Sequence, residues 1–469
     1  MARLLKFVSL ASHHGGSDLS PQPTVMKFGG TSLSDSAAFD RVSNIVGSYH
    51  RVCSLVVVVS AMSGMTDALL LSAQMSAAGA MKEAIQLLDE QFRRHLAVTQ
   101  NLPKTQAGNL QAFIQSRWRE LLQLLKLVNE TGTATAKLKD AIVSNGEVLS
   151  AQLLSAMLRK QGLPAVYVDA RRCIVTNQDH GEAKPLFETT RRRTRGEIIP
   201  RLKSGKIPVL GGFIASTKKG VTTTLGRGSS DYTATLISAA LHARETQIWT
   251  DVNGVLTADP GLIETARSVP ILSFAEAAEL SRFGAKVLHP KTIQPASETN
   301  VPVRVFNSQE PEFPGTLICD PLDHQRREIK ALAHKTGITM IRISSKPAFT
   351  TDHFSCVIDR VFQQHRATAN VVATSETVVS FACEQTNALP AIVQSLKQLG
   401  SVSVTKHRAI ICCVGKGWLK ASARAMNTLT AVDRSVTWQR ASDISLIADV
   451  PQERARALLI ELHQRIFDN

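Results

Sequence analysis

The chain has 469 residues, 43% of them hydrophobic, which is a globular composition with enough length for two or three domains and more than one core. No apolar run approaches the roughly 18 residues that span a bilayer, and seven scattered cysteines without a CxxC pair suggest neither a zinc site nor a disulfide framework, so a cytoplasmic protein is expected. The formal charge of +15 invites an anionic partner, but the densest cluster (Arg191, Arg192, Arg193, Arg195) has no interleaved aromatics, so solvated surface charge is expected, with neither nucleic acid nor membrane as partner.

In chain order, residues 1–23 read as a disordered tail whose apolar patch, Leu4 to Leu10, is at the short limit for a signal peptide. Strand-length apolar runs then alternate with helical patterns: Thr24 to Phe28, Ser54 to Ser60, Ala165 to Asp169, Ile207 to Gly211, Gln247 to Thr250 and Val301 to Phe306. Between the second and third lies a long helical excursion, about Thr66 to Gln161. Residues 24–310 form one α/β domain on this reading, and 311–328, containing EPEFPGTLI and DPLDHQRREIK in part, form a linker. Residues 329–469 follow as two βαββ modules of similar element order: Ile338 to Ser344, Asp352 to Gln364, Asn370 to Ala373, Thr377 to Cys383 and Leu389 to Leu399, then Ala409 to Val414, Leu419 to Leu429, Val436 to Gln439, Ile444 to Asp449 and Gln452 to Ile466.

Five stretches carry chemistry. In TVMKFGGTS, Lys27 interrupts an apolar strand, and the backbone of Gly29 and Gly30 with the hydroxyls of Thr31 and Ser32 can wrap an anion; a tight turn with an outward lysine explains the same letters. In VVVVSAMSGMTDALL a buried parallel strand leads into Ser60, Ser63 and Thr66, which can meet a substrate or cap the next helix. LGRGSSDYTATLI places Arg227 between two glycines and Asp231 in the first turn of a helix, with Ser229 or Ser230 as its cap. IWTDVNGVLTADP ends a strand at Thr250 and Asp251, where open α/β sheets bind ligands. SNGEVLSAQLL and RFGAKVLHP contribute Glu147, read at a helix start, and Lys286.

Taken in order, KFGGTS, VVVSAMSGMTD, SNGEVLSAQLL, TTTLGRGSSDYTATL, IWTDVNGVLTADP, FAEAAELSRFGAKVLHPKT, TSETVVSF and ASDISL resemble the aspartate kinases of the amino-acid kinase family, most closely the monofunctional lysine-sensitive class, from about Thr24 to the C-terminus. The resemblance implies an amino-acid kinase fold, a sheet sandwiched by helices, followed by two α+β ACT domains that pair in a homo-oligomer. It implies transfer of the ATP γ-phosphoryl group to the side-chain carboxylate of L-aspartate, with Mg2+ arriving on ATP, at the head of lysine, threonine and methionine biosynthesis. Lys27 matches the lysine that neutralises the transferring group, beside Gly29 and Gly30, and Asp231 the acid that organises it. Glu147 and Arg227 match aspartate-binding residues, Ser60 and Thr66 substrate-side positions, and Thr250, Asp251 and Lys286 nucleotide-binding positions. Ser345, Phe354, Asn370, Thr374, Ser375 and Glu376 fall where an amino-acid effector, lysine by default, would bind. The chain departs from the family at Ser229 and His353, where glycine is common, at Leu256 (tyrosine), Gly261 (arginine) and Asn370 (aspartate), implying weaker ATP and lysine contacts with activity retained. The rival readings are another amino-acid kinase, acting on glutamate or N-acetylglutamate, and an inactive ACT-type sensor.

Overall fold

The computed structural model describes residues 22–285, 288–320, 329–345, 351–365, 367, 369–374, 378–384, 386–415, 436 and 438–468. The chain forms two compact units, one running to Gly254 and resuming over Lys291–Cys319, the other made of Val255–Pro290 and Asp320–Asn469. The boundary is therefore not the single linker expected at 311–328: the segment 255–290 groups with the C-terminal part, and Thr316–Ile318 is a strand of the first unit.

The first unit opens with β1 (Thr24–Phe28), α1 (Ser36–His50), β2 (Leu55–Val59) and α2 (Met65–Ala77). The helical excursion resolves into α3 (Met81–Thr99), α4 (Lys104–Thr131) and α5 (Ala136–Lys160). Then come β3 (Ala165–Tyr167), β4 (Val175–Thr176), α6 (Phe187–Lys203), β5 (Ile207–Gly211), β6 (Ile214–Thr217), β7 (Thr222–Thr224), α7 (Ser230–Leu241) and β8 (Glu245–Thr250). After β9 (Ile271–Leu272) and α8 (Phe274–Arg282), which belong to the second unit, α9 (Pro290–Glu298), β10 (Val303–Asn307) and β11 (Thr316–Ile318) complete the first.

Within it the strands lie in the order β3-β5-β2-β1-β8-β10-β11, all parallel except β11. Every residue of β1, β2 and β5 is buried, as expected of parallel strands covered on both faces. The chain leaves β1 toward β2 and β5 on one side and returns to β8 and β10 on the other, so β1 lies where the strand order reverses and its carboxyl end is the expected ligand position. Helix α4 buries Leu110, Ile114, Leu121, Leu125 and Val128 along one face and stops at Gly132, whose φ of +62° no β-carbon favours. Helix α5 is long and apolar enough to cross a membrane, but 89% of its most apolar window is buried in this unit. The small sheet β4-β6-β7 was not anticipated: its strands are two to four residues long, below the length at which periodicity reads.

The second unit continues through β12 (Ala331–Ser345), α10 (Thr351–Gln364), β13 (Ala369–Thr374), β14 (Val378–Glu384), α11 (Leu389–Lys397), β15 (Gly400–Val414), β16 (Trp438–Ser442), β17 (Ser445–Pro451) and α12 (Gln452–Phe467). The helix expected at Leu419 to Leu429 lies outside the described residues. Its sheet runs β13-β14-β12-β15-β17-β16, an order that reads as the same three-strand set twice, in mirrored sequence. The sheet thus comprises two α+β modules, and they interleave. Strands β12 and β15 are each 15 residues long, far more than expected, and pair antiparallel from Ala331 opposite Val414 to Ser345 opposite Gly400, with register shifts beside Gly337 (φ +70°). The first half of β12 gives Leu332 to a core with Ile411, Cys413, Leu459 and Leu462; its second half gives Ile341 and Ile343 to another with Ile358, Phe381 and Ile392.

Candidate active site

Lys27 is held inside the sheet, 8% exposed, opposite Val58 of β2 and Ile248 of β8. A buried ammonium persists only with a partner, and its Nζ lies 2.6 Å from Oδ1 of Asp231. The strand ends at once in Gly29, whose N–H donates to the Trp249 carbonyl (3.0 Å) and where a β-carbon would stand 3.6 Å from the Lys27 ammonium. At Gly30 a β-carbon would come within 2.8 Å of the Ala61 carbonyl, so the turn after β1 and the turn after β2 touch only because this residue has no side chain. A single 3-10 turn, Thr31–Leu33, follows. Its Ser32 hydroxyl meets that of Ser308 at 2.8 Å, and Ser308 donates to the Thr250 carbonyl at 3.0 Å, which ties the turn to the ends of β8 and β10.

Asp231 occupies the first turn of α7, as expected. The loop before it needs both of its glycines, since Gly226 and Gly228 have φ of +92° and +77°. Ser229, by contrast, has φ of −85°, so a side chain there brings no backbone strain. Neither serine caps the helix in the way expected: Ser229 stands at the cap position but its hydroxyl turns back to the carbonyls of Leu225 (2.9 Å) and Gly226 (2.5 Å), bracing the loop. Arg227 projects from this loop 77% exposed, its Nη2 2.6 Å from Oδ1 of Asp67 on α2. The loop's near end is anchored by Asp140 of α5, which accepts from the Thr224 hydroxyl (2.5 Å) and the Gly181 N–H (3.1 Å) and faces Nδ1 of His180 at 2.8 Å.

Glu147 is not at a helix start; it lies in the middle of α5, because Asn145 and Gly146 continue the helix. Asn145 is buried within it, its amide donating to the carbonyls of Ala141 and Ile142. Gly146 serves contact with the neighbouring turn: a β-carbon there would stand 2.7 Å from that of Ala61. Gly211, at the end of β5, lies against Glu147 itself, where a β-carbon would reach its Cβ at 2.8 Å and its carbonyl at 3.1 Å, and Gly212 lies equally close to Ser230. The carboxyl is 3% exposed, and its Oε2 has no hydrogen-bond partner among the described residues. Burial pushes its pKa up to about 8, against a smaller opposite pull from its own and the Ala61 backbone N–H. A buried carboxyl oxygen left unpaired among the described residues is a place for a cation.

The remaining expected residues divide. Ser60, its N–H donating to the Phe28 carbonyl, and Thr66, the second residue of α2, sit at the end of β2 in the same unit. Thr66 is not the cap; Gly64, with φ of +82°, occupies that position. Thr250 closes β8, its hydroxyl 3.1 Å from Oδ1 of the exposed Asp251. Lys286, Ser375 and Glu376 lie outside the described residues, and of Ser345, Phe354, Asn370 and Thr374 only the backbone is described. Leu256 and Gly261 fall on the segment assigned to the second unit, where the Gly261 N–H donates to Asp259 Oδ1. Gly211, Gly212, Asp67 and Asp140 join the site without being expected there from the sequence. The Gly-Gly pair after an apolar strand repeats the signature of Gly29-Gly30 and could have been read; Asp67 and Asp140 have no local signal, since their partners are 160 and 84 residues away.

Together the carboxyl ends of β1, β2, β5 and β8 carry a buried lysine with its acid, paired glycines, a helix N-terminus and a cation-seeking carboxyl, a set suited to holding anions and an ammonium side by side. The description "Amino acid kinase family" matches residues 22–307. Among curated proteins, the lysine-sensitive aspartokinase 3 of Escherichia coli K12 is 32% identical over 95% of this chain and 99% of its own length, and the chloroplastic aspartokinase 2 of Arabidopsis thaliana 32% identical over 95% and 84%. Among solved structures, E. coli aspartokinase III in complex with aspartate and ADP, in its R state, is similar with a TM-score of 0.83 at 30% identity, covering 95% of this chain and 100% of that one. The same protein with lysine and aspartate, in its T state, gives 0.74 at 31% identity, covering 95% and 99%.

Proposed function

The chain belongs to the amino acid kinase family, among its aspartate kinases, and on that premise we propose that Lys27, Asp231, Glu147 and Arg227 carry the transfer of the ATP γ-phosphoryl group to the side-chain carboxylate of L-aspartate. The acceptor oxygen bonds to the γ-phosphorus as the bond to the bridging oxygen of the ADP moiety breaks, giving 4-phospho-L-aspartate and ADP. A carboxylate is already a nucleophile near neutral pH, so no general base is needed and the protein's work is positioning and charge stabilisation.

The observation that carries this reading is a buried lysine–aspartate couple beside a buried glutamate whose Oε2 has no partner among the described residues: Gly211 packs against Glu147 and Gly212 against Ser230, the neighbour of Asp231. Lys27 meets the charge on the transferring group, and Asp231 holds the ammonium in place. Glu147 accepts the α-ammonium of the substrate, the one part of aspartate that a carboxylate can pair with, while Arg227 exchanges Asp67 for a substrate carboxylate. Ser60 and Thr66 line the substrate side, and Thr250, Asp251 and Lys286 the nucleotide side. Among the described residues no group of three or more His, Cys, Asp or Glu could hold a metal. Mg2+ would come on the phosphates of ATP, where it neutralises their charge.

The same reading makes the protein a cytoplasmic homo-oligomer assembled through its ACT domains, with lysine as the effector, since a similar enzyme has been solved with lysine bound. The test is an aspartate-dependent ATP assay in which hydroxylamine traps the acyl phosphate as a hydroxamate. Hydroxamate is expected with aspartate and ATP together; its absence, or equal yield from glutamate or N-acetylglutamate, would overturn the assignment.

A further inference from the structure

Helices α3 and α4 supply none of the residues given a role above, yet one side chain of α3 reaches both turns of the site. Arg94, on α3 and partly buried, donates from Nη1 to the Ser63 carbonyl at 2.8 Å and from Nη2 to the Ser34 carbonyl at 3.0 Å, while Gln91 Oε1 accepts from Nη1 at 2.7 Å. Ser34 closes the 3-10 turn that follows Gly29 and Gly30; Ser63 lies in the turn between Ser60 and Thr66. The two turns are already in contact, the Ser63 N–H donating to the Gly30 carbonyl at 3.2 Å. That bond, the packing of Gly30 on Ala61 and the Ser60 N–H to Phe28 carbonyl bond all lie close to the strand ends, and leave the far parts of the turns, at Ser34, less restrained. A planar guanidinium bonded to one carbonyl of each turn, Ser34 and Ser63, adds a further tie that restrains them, which a flexible ammonium would do less well.

We infer that Arg94 is a positioning residue for phosphoryl transfer: through one guanidinium it fixes the phosphate-side turn after β1 against the substrate-side turn after β2. It touches neither reactant. The inference rests on the roles proposed above for Lys27, Ser60 and Thr66, and it gives α3 a part in the reaction.

The experiment compares wild type, Arg94→Ala and Arg94→Lys by steady-state kinetics in aspartate and in ATP, by melting temperature, and with millimolar methylguanidinium added. Arg94→Ala should lose about tenfold to a hundredfold in kcat/KM for aspartate, the scale of a small misplacement remote from the chemistry. Arg94→Lys, which keeps the charge and most of the stem but not the fork, should recover only part of this. Methylguanidinium should raise kcat of the Ala variant and leave wild type unchanged. An Ala variant with kinetics within about twofold of wild type overturns the inference, and so does a lowered melting temperature with kinetics that methylguanidinium cannot restore. A wild-type protein without aspartate-dependent turnover would instead remove the reading on which the inference stands.

Discussion

Lys27 is the side chain whose loss separates folding from chemistry most cleanly. It is held by one carboxylate, Asp231, so Lys27→Ala leaves that acid without its cation in a site it can share with solvent, the Asp231 side chain being 18% exposed. The fold should survive, while kcat falls by on the order of a thousandfold, the scale seen when one preorganised charge donor is removed from a transition state. Circular dichroism and the hydroxamate assay check the two halves of this expectation; near-normal turnover would take the lysine out of the mechanism. Glu147 makes a different prediction, in pH. With its pKa pushed up to about 8, it is mostly protonated at neutral pH, and an incoming ammonium pairs only with the ionised form. Binding of aspartate should therefore tighten as pH rises toward about 8, kcat/KM for aspartate climbing by about tenfold per pH unit below that value. Glu147→Gln should bind aspartate weakly and lose this slope; a variant that keeps the slope would assign it to another group.

At the scale of elements, the site depends on helices approaching strands more closely than side chains ordinarily permit. Gly211→Ala places a methyl 2.8 Å from Cβ of Glu147 and 3.1 Å from its backbone, neither of which is the free end of a flexible chain. The variant should cost about 1–3 kcal/mol by overpacking, visible as a lower melting temperature, and should raise KM for aspartate because Glu147 is the residue displaced. Substitution at Gly108, where an added β-carbon meets nothing within 4 Å, is the control expected to leave KM unchanged. This dependence explains what the sequence discloses and what it hides. Lys27 and Asp231 were readable because each breaks a local rule, a charge in an apolar strand and a costly Gly-Arg-Gly before a helix. Glu147 was placed one structural level wrong, because Asn-Gly is a turn signal locally and tertiary packing overrides it where α5 must lie against Ala61. Strands β12 and β15 extend to more than twice the length expected, since their additional segments include the exposed run Ser403 to His407, whose one apolar residue is the exposed Val404, and the junction at Gly337, so no buried apolar face marks them. Arg94 and Asp140 had no signal at all, because what distinguishes them is the identity of distant carbonyls and hydroxyls.

At the scale of the whole molecule, two titratable groups buried in the first unit set opposing responses of stability to pH. His95 of α3 is fully buried with Nδ1 2.7 Å from the Gln91 carbonyl, and burial lowers its pKa from 6.5 to about 4. Below about 6.5 the unfolded chain takes up a proton that the fold refuses until about 4, so stability falls as pH drops through that window, by about 3 kcal/mol in all. Glu147 acts the other way: between 4.5 and about 8 the fold keeps a proton the unfolded chain has released, so stability falls as pH rises. From about 4.5 to 6.5 the two slopes oppose each other, and from about 6.5 to 8 only Glu147 contributes of the pair. Aspartate should offset this upper decline, because its ammonium gives the ionised carboxylate a partner; the rise in melting temperature on adding saturating aspartate is expected to be larger near pH 8 than near pH 6.5. Melting temperatures of wild type, His95→Asn and Glu147→Gln across this range check each limb separately: the histidine variant should lose the acid limb and the glutamine variant the decline above about 6.5. A Glu147→Gln protein that still declines there as wild type does would mean that the buried carboxyl is not the group that couples this fold to its substrate.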